Sequence, residues 1–64
     1  MNKEISFAKD IYARFRMHTH TSNEAYNCAL ESIGITITLL RDSGVDSTFF
    51  DKVRMELFNL RDKG

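Results

Sequence analysis

The side chains with the widest chemical reach lie close together: "MHTHTSNEAYNC", residues 17–28, carries His18, His20, Glu24 and Cys28. Imidazole, carboxylate and thiolate are all zinc ligands, but a structural site needs four of them and a catalytic site three plus a water. Two histidines one residue apart, followed by a lone cysteine, match none of the zinc-binding spacings, and Glu24 would have to complete the set. The sequence therefore predicts no metal and no cofactor. Cys28 and a histidine would serve as nucleophile and base only with a third group to orient the base and donors to hold an oxyanion. The chain supplies neither, so no enzyme is expected. His18 and His20 read instead as linker residues that favour the negative end of a preceding helix, and Cys28 as a small buried apolar group.

The next chemistry to weigh is phosphate binding. Nine Lys and Arg cancel nine Asp and Glu, which removes the overall positive field that draws a protein to nucleic acid. The charges are nevertheless segregated. Met1 to His20 holds Lys3, Lys9, Arg14 and Arg16 against Glu4 and Asp10, whereas Thr21 to Asp51 holds five acids against Arg41 alone. Such blocks complement each other when elements pack side by side, or match an oppositely charged partner. Lys9, Arg14, Arg16, His18 and His20 form a candidate nucleic-acid patch. The segment "LLRDSGVDSTFFDKVRMELF" partly fits a helix-turn-helix, with Gly44 in the turn. However, Leu40 and Ser43 break the pattern, and the reading positions Ser47, Thr48 and Asp51 offer almost no positive charge for phosphates. DNA binding is the alternative expectation rather than the leading one.

These residues must be positioned by helices. The chain has no proline, and its three glycines are Gly34, Gly44 and Gly64. Ile5, Phe7, Ala8, Ile11, Tyr12 and Phe15 fall on one side at ~100° per residue, predicting a helix over about 3–16 with Asn2 as its cap. Asp10 and Arg14, four apart, are placed for a helical ion pair worth only ~0.3 kcal/mol. Thr21-Ser22-Asn23-Glu24 is a capping-box sequence. "GITITL" within Glu31 to Gly44 alternates like a strand, but Tyr26, Ala29, Leu30, Ile33, Ile37 and Leu40 keep helical spacing through it, and no second strand exists to pair with it. The spacing predicts a helix over 22–43, ending where Gly44 takes a left-handed conformation and Val45 folds back on Leu40. A third helix over 47–62 follows, with Asp46 as cap and Val45 with Phe50 as a hydrophobic staple. The short connection predicts an αα-hairpin between the second and third helices.

The fold class is therefore all-α, one three-helix domain over 1–64. At 64 residues and 42% hydrophobic content, such a core rarely supplies more than ~3–5 kcal/mol without a staple or a partner subunit. Apolar residues off the main stripes mark where a partner would sit. Cys28, Ile35 and Leu39 lie opposite the main stripe of the second helix, and Met55 and Phe58 lie off that of the third. These five form the expected seam of a homodimer, and the expected function is a non-enzymatic adaptor or regulator docking on itself and on a larger protein. A single cysteine, no signal-like N-terminal apolar segment and no long apolar run predict a cytoplasmic protein without a membrane partner.

Overall fold

The computed structural model describes residues 2–63, which contain three helices and no strand. The first helix, α1, spans Lys3–Arg16, and the Asn2 side chain accepts the Ile5 N–H at 3.1 Å, satisfying one of the donors a helix start leaves unpaired. It ends in polar closure. The Thr19 hydroxyl and the His18 N–H both donate to the Phe15 carbonyl at 3.0 Å, and the Arg16 guanidinium donates to the Thr19 carbonyl at 2.9 Å. Asp10 and Arg14 do not close their expected pair. The ion pairs among the described residues are Arg41–Asp51, Arg54–Asp51 and Arg61–Asp62. Both Asp10 and Arg14 are exposed, where fixing two long side chains returns little.

Helix α2, Ser22–Asp42, starts at Thr21, whose hydroxyl oxygen accepts the Glu24 N–H at 3.2 Å. It runs unbroken through "GITITL". The threonines fit because their hydroxyls turn inward along the helix: Thr36 donates to the Ser32 carbonyl and Thr38 to the Gly34 carbonyl, each at 3.0 Å. Gly34 is the remaining weakness. A β-carbon there would meet nothing within 4 Å, so Gly34→Ala should raise stability by about 0.5–1 kcal/mol, read as a higher denaturation midpoint with an unchanged slope.

The residues between α2 and α3, the latter spanning Thr48–Lys63, form a sharp corner. Gly44 has φ +73°, and its N–H donates to the Arg41 carbonyl at 3.0 Å while the Val45 N–H donates to the Leu40 carbonyl at 2.8 Å. That pair of bonds is a Schellman ending. The helix limits differ slightly from those expected. α2 stops at Asp42, and α3 begins at Thr48, because the Ser47 carbonyl accepts the first helical bond, from the Asp51 N–H at 2.9 Å. Asp46 holds the turn before it, accepting from the Thr48 hydroxyl at 2.6 Å and N–H at 3.1 Å. The hydroxyl's bond and then the N–H's hold the Asp46 carboxyl below its ordinary pKa. Its contribution is thus present above the ordinary carboxylate range and fades as pH falls through the lowered value. With Ser47 rather than Asp46 ahead of the first helical residue, Val45 and Phe50 no longer occupy staple positions, and Val45 is exposed.

Each helix packs against the other two. Ala25, Ala29, Ile33 and Ile37 recur every fourth residue along the buried face of α2, joined by Ala8 of α1 and by Val53 and Leu57 of α3. Ala8 of α1 and Ala25 and Ala29 of α2 are 0% exposed. Tyr12 of α1 stacks on Tyr26 of α2 with ring centroids 4.2 Å apart, and the Tyr12 hydroxyl donates to Ser22 at 3.1 Å. Burial, and then Tyr12, push the Tyr26 phenol upward in pKa. At the other end Phe7, Phe49 and Phe50 meet edge to face at 5.3–5.7 Å, the geometry ring quadrupoles favour. Among the described residues the large side chains of the core are Ile33, Ile37, Val53 and Leu57, each 2% exposed or less.

Candidate functional site

The exposed apolar side chains expected to form one seam are distributed over separate places. Ile35 and Leu39, on the back of α2, are 63% and 62% exposed. They share a shallow groove with Glu31, Gly34, Thr38 and, across from α3, Arg54. Cys28 lies on the same side of α2 by helical spacing, since it precedes Ile35 by two turns, but it is half-buried and does not line this groove. Met55 lines a different depression, with the cap residue Asn2 and Glu4 of α1 and Lys52 and Glu56 of α3. Phe58 is 40% exposed and is covered by the Arg61 guanidinium, 5.0 Å from its ring centroid, a cation–π contact. Ile35 and Leu39 therefore belong to one surface and Met55 to another. Spacing on two helices says which residues avoid the core, but the angle between the helices decides whether they meet.

Arg54 lies beside the corner, 3.9 Å from Asp51. Asp51 accepts from the Arg41 guanidinium at 3.2 and 3.4 Å and from the Ser47 hydroxyl at 3.2 Å. Ser47 is buried and also accepts from Arg41 Nε at 3.4 Å. Two of the three residues that a helix-turn-helix would use to read bases are thus committed to tying α2 to α3. Thr48 is committed to Asp46. This clasp joins residues ten apart in the chain, and no local spacing rule points to it.

The candidate nucleic-acid patch is divided as well. Arg14 and His18 line a groove between α1 and α2 with Ile11, Phe15, Met17 and Ser32. Lys9 and Arg16 project roughly 140–160° around α1 from Arg14, given ~100° per residue, and Arg16 is bonded to the linker carbonyl of Thr19. His20 is exposed and lines neither groove. Among the described residues no three His, Cys, Asp or Glu side chains converge to hold a metal ion, and no helix is long and apolar enough to cross a membrane. Comparison with protein-family models, curated proteins and solved structures gives no match.

Proposed function

We propose that the chain is a non-enzymatic interaction module that works as a homodimer, its second and third helices forming an αα-hairpin closed by a second copy, and that it acts as an adaptor or regulator of a larger protein. The observation that carries this reading is the pair Ile35 and Leu39, mostly exposed on the back of α2. These two large apolar side chains, one turn apart, stay mostly exposed in a domain whose buried core is only Ala8, Ala25, Ala29, Ile33, Ile37, Val53 and Leu57 among the described residues, a small core for a chain that must fold alone.

A second copy suits this surface better than an unrelated one. The groove carries Glu31 on α2 and Arg54 on α3, so a two-fold axis through it offers each acid a base and each base an acid. Gly34 and Thr38 keep the middle of the groove low, which favours close approach of another helix. DNA binding has less behind it, because the cations divide between two sides of α1 and the corner residues are engaged with one another.

Sedimentation equilibrium across the micromolar range tests the proposal. The wild type should approach twice the 7.4 kDa mass of one chain. Leu39→Lys should weaken association by at least about tenfold, or ~1.4 kcal/mol, with helicity retained because the side chain is exposed. Met55→Glu, in the separate α1–α3 depression, should leave association unchanged. A wild type that stays at single-chain mass, or dissociation by Met55→Glu but not by Leu39→Lys, would reject the assignment.

A further inference from the structure

We draw no further inference here: the strongest candidate, the apolar groove between α1 and α2 lined by Ile11, Phe15 and Met17 with Arg14 and His18, carries nothing, because Asp10 lies with Arg14 in the adjoining depression and nothing in the structure shows what covers it.

Discussion

Leu57→Ala should leave the chain largely unfolded at room temperature, seen as loss of most of the far-UV helical signal at low micromolar concentration. Leu57 is 0% exposed and sits with Val53 and Ile33 where the three helices meet. Replacing a buried leucine by alanine costs about 2–5 kcal/mol, part of it from the cavity left behind. A single-core domain of this size has only ~3–5 kcal/mol to lose. Phe58→Ala, one position along, is the internal comparison. Phe58 lies 40% exposed under Arg61, so its removal should cost about 1 kcal/mol or less and leave the helices intact. If the chain is a dimer, raising the concentration should restore part of the Leu57→Ala helicity, since only folded chains associate. A Leu57→Ala protein as stable as the wild type would show that α3 turns a different face to the core.

The helices were readable because their ends are chemically marked. Asn2 and Thr21 hold the side chains that cap α1 and α2, and Gly44 stands where a helix must reverse direction. Those marks outweighed the alternation of "GITITL", whose threonines bond back to Ser32 and Gly34 in a way that alternation cannot reveal. The third helix starts one residue later than the spacing predicts, at Thr48, for a related reason. Asp46 and Ser47 are both good capping types, and only the Arg41–Ser47–Asp51 clasp gives Ser47 the position inside the corner. The surface was less readable than the core. Period alone puts Ile35 and Leu39 on a second apolar stripe opposite the main one, the pattern of a helix buried on two sides, whereas in the structure that stripe is mostly exposed. Their separation from Met55, and the division of Lys9 and Arg16 from Arg14 and His18, depend on how the helices are arranged around the core.

Gly44→Val should be the most damaging change outside the core, and its neighbours in a substitution series reveal why. At φ +73°, an L-residue brings its β-carbon toward the carbonyl, costing roughly 1–2 kcal/mol, with β-branched residues at the unfavourable end. No atom lies within 4 Å of where that β-carbon would go, so the penalty is one of backbone conformation and not of crowding. The order of stability should therefore be Gly, then Asn, then Ala, then Val, because asparagine tolerates the left-handed region and the others do not. Size alone would give a different order, with alanine ahead of asparagine. The same Gly→Ala exchange at Gly34 should act with the opposite sign, since that residue is inside α2 at a negative φ and pays only the entropy of a helical glycine. Urea denaturation of the two alanine variants separates the cases. Midpoint shifts of opposite sign, the larger at Gly44, locate the turn there, while a neutral Gly44→Ala would place the reversal of the chain elsewhere.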